Sequence, residues 1–234
     1  MYGIPPVDPG KAFDWGKTSA DYGQYRPGYP ASFWRRLEAL GVGLAGQRVV
    51  DVGTGTGVMA REFARRGCRV DGVDVSAGQV AEARRLAEGE GLRAEWAVAA
   101  AEETGLPGAS WDLVSASQCW LYFDKARAIR EVKRLLAPGG RLLTCHLCWL
   151  PRLDAIARET EALVLRFNPE WTAADWAGVV PACPKWAEGE FDVEAMFRYD
   201  EGVPFPREAW RGRIRACRGV GASLPPEEVV RLDA

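Results

Sequence analysis

Hydrophobic and polar positions alternate in blocks through the middle of the chain, and the blocks differ in period. Arg48-Val49-Val50-Asp51-Val52 is a short β-branched run that predicts a buried strand. Val58 to Arg66 carries apolar residues at helical spacing and stops at Gly67. Arg69 to Val75 predicts a second strand, and Ser76 is placed to cap a helix running through Ala81 to Glu90, closed by Gly91. Ala94 to Ala99, Trp111 to Ala116 and Arg141 to Trp149 predict three further strands. A helix opened by Asp124 runs through Leu136 and ends at Pro138-Gly139-Gly140. This rhythm predicts a doubly wound α/β sheet of parallel strands, with its ligand at their carboxyl ends.

Two flanks stand outside the rhythm. Tyr22 to Pro30 is aromatic and rich in proline, and Ala31 to Leu40 predicts an amphipathic helix. Beyond the core, Arg152 to Phe167 predicts a helix, followed by a loop holding Trp171, Trp176, Pro181, Pro184 and Trp186. Phe191 to Phe197 and Tyr199 to Val203 are candidates for the last two strands, and Arg207 to Cys217 for a helix. The expected organisation is one domain over 1–234: an N-terminal helical lid (1–45), a binding core (46–150) and a C-terminal segment (151–234).

Composition narrows the classes. Hydrophobic residues make up 47% and charged residues 26%, as in an ordinary globular protein. Thirty Lys and Arg against 32 Asp and Glu leave a net charge of −2, so no general attraction to nucleic acid or anionic lipid is expected. No apolar run approaches the roughly 20 residues of a membrane span. Met1 to Lys11 lacks the apolar stretch of a secretory signal, and the six cysteines are scattered, which together predict reduced thiols in a cytoplasm. Cys145 and Cys148 sit three apart in a predicted strand and so point to opposite faces; no metal is expected.

The candidate chemistry lies at Gly53-Thr54-Gly55-Thr56-Gly57, a tight glycine loop between a strand and a helix. Such a loop lets backbone approach a ligand at a helix N-terminus. Asp74 ends the next strand, about 20 residues on, where a carboxylate can accept both hydroxyls of a ribose. The pair points to an adenosine-containing cofactor. A dinucleotide fingerprint would place a third glycine where this chain has Val58.

From Gln47 to Leu150 the motifs resemble class I S-adenosylmethionine-dependent methyltransferases. They are Asp51-Val52-Gly53-Thr54-Gly55-Thr56-Gly57, Asp74 in Gly72-Val73-Asp74-Val75-Ser76, Ala101-Glu102 before Leu106-Pro107, Trp111-Asp112-Leu113-Val114, and Leu135 to Leu142 around Pro138-Gly139-Gly140. Tyr25-Arg26-Pro27-Gly28-Tyr29-Pro30 and Pro204 to Trp210 are similar to the small-molecule, ubiquinone-biosynthesis-like ("type 11") branch. The resemblance implies a Rossmann-like, seven-stranded sheet, mostly parallel with an antiparallel last strand. It implies S-adenosylmethionine as cofactor: Gly53 and Gly55 under its methionine part, Thr54 in the same cofactor-binding loop, Asp51 on the amino group and Asp74 on the ribose. It also places Ala101 and Glu102 beside the adenine, and Ser117 and Gln118 near the transferring methyl. Tyr25, Val75 and Gln79 complete the expected cofactor set. Ala99, Ala100 and Ala101 stand where many relatives carry an adenine-binding Asp, so backbone, Glu102 or Glu103 must substitute.

The cofactor supplies an activated methyl, and the protein aligns a nucleophile and excludes water. His146, the sole histidine, falls near the mouth and is the candidate base, a structural role being the alternative. Tyr22, Trp120 and Tyr122 are candidates for the wall of an acceptor pocket, with core packing as the rival role for each aromatic. Arg213 and Arg218, on a helix otherwise read as solvated, are candidates to pair with an acidic group on the acceptor. The leading expectation is a methyltransferase with a small-molecule acceptor. Its rivals are a cofactor-binding module without transfer and a nicotinamide-dependent oxidoreductase. Oligomeric state is left open.

Overall fold

The computed structural model describes residues 14–181 and 183–234; the Met1 to Lys11 reading lies outside them. Five strands form one parallel sheet in the order β3-β2-β1-β4-β5: β1 (Arg48–Val52), β2 (Arg69–Asp74), β3 (Glu95–Val98), β4 (Trp111–Ser117) and β5 (Leu136–Cys145). The central strand β1 is buried along Val49 to Val52, as its β-branched run requires. It pairs with β2 on one side (Val52 opposite Val73) and β4 on the other (Asp51 opposite Ser115). The direction of winding reverses between β1 and β4, so the ligand crevice of such a sheet opens at their carboxyl ends.

Helices cover both faces. In chain order they are α1 (Ser19–Tyr25), α2 (Ala31–Ala39), α3 (Val58–Arg65), α4 (Ala77–Gly89), α5 (Lys125–Leu135), α6 (Ala155–Phe167), α7 (Arg207–Arg215) and α8 (Pro226–Asp233). The predicted caps are in place: Ser76 Oγ accepts from Gln79 N–H, and the Asp124 carboxylate from Arg127 N–H. One core packs α5 against Val50, Val52, Val114 and Ala116, and the other packs α2 and α3 against Val49, Val70 and Leu113. Val164, Trp171, Ile214, Val220 and Leu232 build a third cluster among the C-terminal helices.

Three expectations are corrected. The sheet has five strands among the described residues, not seven, and no antiparallel last strand. Phe191 to Phe197 and Tyr199 to Val203 join no ladder; side chains anchor this stretch instead. The Arg36 guanidinium lies 3.9 Å from the Tyr199 ring centroid, Ser32 Oγ is 3.0 Å from Tyr199 Oη, and Arg141 pairs with Glu194 at 2.8 Å. Second, β5 begins at Leu136 and ends at Cys145 rather than running from Arg141 to Trp149. Trp111 faces Leu136 but Leu113 faces Arg141, so Pro138-Gly139-Gly140 is a bulge inside the strand. Proline, lacking an N–H, fits there, and Gly139 takes a positive φ of 77°. Third, the lid holds a helix that the aromatic and proline signals hid, α1. Its Gly23 lies so close to Glu82 and Leu86 of α4 that a Cβ would be 2.8 Å from Glu82 Oε1. Arg215 of α7 holds Asp21 of α1 at 3.1 Å.

Candidate cofactor and acceptor site

The glycine loop joins β1 to α3 at the crevice. Gly53, Gly55 and Gly57 have φ of 62°, 57° and 75°, the left-handed region that glycine alone enters without strain. At Gly53 a Cβ would also stand 2.7 Å from Cys119 Sγ, and at Gly57 2.6 Å from the Trp96 ring. Gly55 differs: its free side has ordinary room towards Tyr22 and Gln79, 3.9 and 3.8 Å from the position of a Cβ.

Two carboxylates define the charge of the loop. Asp74, at the end of β2, accepts from Gly55 N–H at 2.9 Å and Ser76 N–H at 2.8 Å, tying the loop to the start of α4. Burial raises its pKa against the pull of these N–H donors. Asp51 is 1% exposed; it accepts from Ser115 Oγ at 2.5 Å and Thr54 Oγ1 at 2.6 Å. Burial pushes it up to about 6, the two hydroxyls oppose the rise, and the charge of Asp74 adds to it. A buried and a half-buried carboxylate that repel each other across a backbone loop suit a ligand carrying positive charge.

The lid closes the other side. Tyr29 Oη lies 3.0 Å from Ser117 Oγ, and its ring stacks on Phe33 at 4.3 Å. The Arg26 guanidinium sits over the Tyr22 ring at 5.0 Å. Asp51, Gly53, Gly55, Arg26, Tyr29 and Gln118 border a small cavity of about 40 Å³ between lid and loop. It adjoins a much larger cleft lined by Asp74, Gln79, Glu102, Tyr122, His146 and Arg213 among others. Gln79, 2% exposed, donates through Nε2 to the Trp15 carbonyl at 2.8 Å, while its buried Oε1 has no partner among the described residues. Gln118 is held in the left-handed region (φ 67°) by its N–H to Cys145 O and its Nε2 to Leu147 O. For a residue other than glycine that is stored strain, here at the mouth of the crevice.

Most of the expected residues therefore converge: Asp51, Gly53, Thr54, Gly55, Asp74, Gln79, Ser117 and Gln118 surround the loop, with Val75 and Ala101 on the cleft. Glu102 also lines it, although one carboxylate oxygen is taken by Asp124 N–H at 2.9 Å, whereas Glu103 faces outward to Arg127. Tyr25 departs from expectation. Its ring lies flat on α7 where Gly212 has no side chain, a Cβ there meeting the ring at 2.1 Å, and it borders neither cavity. Trp120 also borders the cleft, although at 3% exposure most of its ring is core, packed on Trp186 at 4.8 Å. Tyr22 and Tyr122 do line the cleft, Tyr122 receiving a hydrogen bond from Arg218 at 3.1 Å. His146 falls one residue beyond β5 and borders the cleft; surrounding protein and the Arg26 charge hold its pKa below the ordinary imidazole value. Sequence reasoning missed Arg26 and Trp15, whose roles come from where α1 and the turn before it (Trp15–Thr18) dock.

A parallel sheet with a glycine loop and acidic strand end at its switch point defines a Rossmann-like binding domain. Residues 49–140 match the family described as a methyltransferase domain, and this core is similar to that of class I S-adenosylmethionine-dependent methyltransferases. Aklanonic acid methyltransferase of Streptomyces sp. (strain C5) is 33% identical over 138 residues, 56% of this chain and 61% of that protein. Ubiquinone biosynthesis O-methyltransferase of Sodalis glossinidius is 34% identical, over 58% of this chain and 55% of the relative. The matches thus span about half to three fifths of these curated relatives' length. A solved structure from Anaeromyxobacter dehalogenans, provisionally described as a type II methyltransferase, is 26% identical with a TM-score of 0.51, covering 89% of this chain and 86% of that one. No helix among the described residues is long and apolar enough to cross a membrane.

Proposed function

We propose that the protein is a single-domain methyltransferase that moves the methyl of S-adenosylmethionine to a small-molecule acceptor by in-line displacement. The observation that carries this reading is the left-handed glycine loop, pinned by Asp74 and faced by the buried carboxylate of Asp51, under a docked lid. The residues fit the cofactor. Asp74 has lone pairs left for the ribose hydroxyls, and Asp51 faces the small cavity with lone pairs left for an ammonium group. Arg26, on the same cavity and without a carboxylate partner among the described residues, suits the cofactor's carboxylate. The unpartnered Gln79 Oε1 is a further acceptor beside Gly55.

When bound, the cofactor supplies a methyl on a sulfonium leaving group. This chain's part is orientation and exclusion of water. Tyr22, Tyr29 and Arg26 roof the loop, and Ser117 with Gln118 forms the floor beneath them. His146, kept unprotonated at neutral pH by its lowered pKa, can accept a proton from an acceptor that must lose one. The family match and the named relatives are all methyltransferases, which favours neither the oxidoreductase nor the binding-module reading.

The test is incubation of the protein with a small-metabolite extract and methyl-labelled S-adenosylmethionine. Label should appear in a low-mass product. Tight cofactor binding with no transfer to any component would instead make the chain a binding module.

A further inference from the structure

α7 carries an exposed Arg207 at its start and Arg211, Arg213 and Arg215 further along, with Arg218 following it, and the last four are treated unequally. Arg211 pairs with Asp233 at 3.0 Å, Arg215 with Asp21, Glu208 and Asp233 at 3.0 to 3.1 Å, and Arg218, just beyond, bonds Tyr122 and Thr172. Arg213 is the most deeply buried of the set, 7% exposed, yet it has no hydrogen bond or ion pair among the described residues. Its guanidinium rests on the face of Trp149, 4.8 Å from the ring centroid. The groups that face it are Arg26, Cys217, Tyr22 and Cys148, none of them a carboxylate. A guanidinium does not give up its proton at neutral pH, and a buried one without a counter-charge is costly. Burial and the neighbouring Arg26 hold its pKa down to about 10, a sign of how poorly the charge is met.

Arg213 borders the same cleft as Asp74, His146 and Tyr22. In the cofactor fit proposed above Arg26, on the same cleft, is matched by the carboxylate of the cofactor, which leaves the buried Arg213 without a counter-charge among the described residues. We propose that the acceptor carries an anionic oxyacid group, a carboxylate or a phosphate, and that Arg213 binds it. This rests on the methyltransferase reading of the site. The fork of a guanidinium suits either anion in a bidentate pair, and the Trp149 face fixes the plane of that fork. An anion held at Arg213 would place the rest of the acceptor along the cleft towards Tyr22 and the glycine loop, so the residue would select among acceptors without touching the methyl.

The experiment titrates the full chain by calorimetry with benzoate, inorganic phosphate and, as the neutral control, benzamide, each with and without S-adenosylhomocysteine. At least one anion should bind and benzamide should not; the stronger of benzoate and phosphate identifies which oxyacid is meant. Arg213→Gln should weaken that anion roughly ten- to hundredfold, the scale of a lost charge-assisted pair, and leave S-adenosylhomocysteine affinity unchanged, whereas Arg26→Gln should weaken S-adenosylhomocysteine. Arg213→Lys, which keeps the charge but loses the fork, should fall between wild type and Gln, and stands in for it should the Gln variant not fold. Equal anion binding by wild type and the Arg213 variants, or no anion binding at all, overturns the proposal. So does a loss of S-adenosylhomocysteine affinity in Arg213→Gln without loss of anion binding, which would assign Arg213 to the cofactor. Failure of S-adenosylhomocysteine to bind wild type strikes the cofactor reading instead, and the titrations without it still score Arg213.

Discussion

Replacing Asp51 with Asn should make the ligand-free protein more stable and the cofactor complex weaker. The carboxylate is 1% exposed and its pKa is displaced from 3.8 to about 6. That displacement corresponds to about 3 kcal/mol of cost for the ionised form in the native state. The sign follows from proton binding. Below pH 4 the group is protonated, folded or unfolded, and costs nothing. Between pH 4 and 6 the native state holds the proton more tightly, so stability falls as pH rises, and above pH 6 the full cost is present. Asn removes the charge but satisfies the Ser115 and Thr54 hydroxyls less well, which returns about 1 kcal/mol. Urea denaturation should therefore show Asp51→Asn more stable than wild type by about 1–2 kcal/mol at pH 8 and no more stable at pH 4. Calorimetry should show S-adenosylhomocysteine bound roughly ten- to hundredfold more weakly by the variant, and wild-type affinity rising from pH 5 to 7. A variant less stable than wild type at pH 8, with an unchanged pH slope, would refute a buried, strained charge at Asp51.

Two other substitutions bear on the loop and the lid. Asp74→Ala strands Gly55 N–H and Ser76 N–H and should weaken S-adenosylhomocysteine binding by about 1–3 kcal/mol in the same titration; an unchanged dissociation constant in a folded variant would remove Asp74 from the site. Arg215→Met cuts the ties from α7 to Asp21 and Asp233, and hydrogen exchange over residues 19–25 should quicken without change in the central strands; equal protection would mean that packing alone docks α1.

The core was legible because each of its signals is local. β-branched runs mark β1 and β2, Ser76 and Asp124 cap their helices as predicted, and the glycines of residues 53–57 need the positive φ they adopt. What escaped depends on contacts between distant segments. Nothing near Tyr25 tells that Gly212 offers it a flat seat. Trp120 and Tyr122 read alike in sequence and were parted by Trp186, which buries the first, and Arg218, which holds the second at the cleft. Phe191 to Val203 has strand-like composition, but its Tyr199 and Glu194 find partners on α2 and β5 through side chains rather than backbone. The isolation of Arg213 is visible only once every carboxylate near α7 is seen to serve another arginine.

The central claim is that the pinned glycine loop and its two carboxylates hold S-adenosylmethionine. Calorimetric titration of the wild-type chain with S-adenosylhomocysteine and, in parallel, with NAD tests it most directly. The account predicts a one-to-one complex of micromolar-class affinity with the first and no measurable heat with the second; binding of NAD without binding of S-adenosylhomocysteine would contradict it.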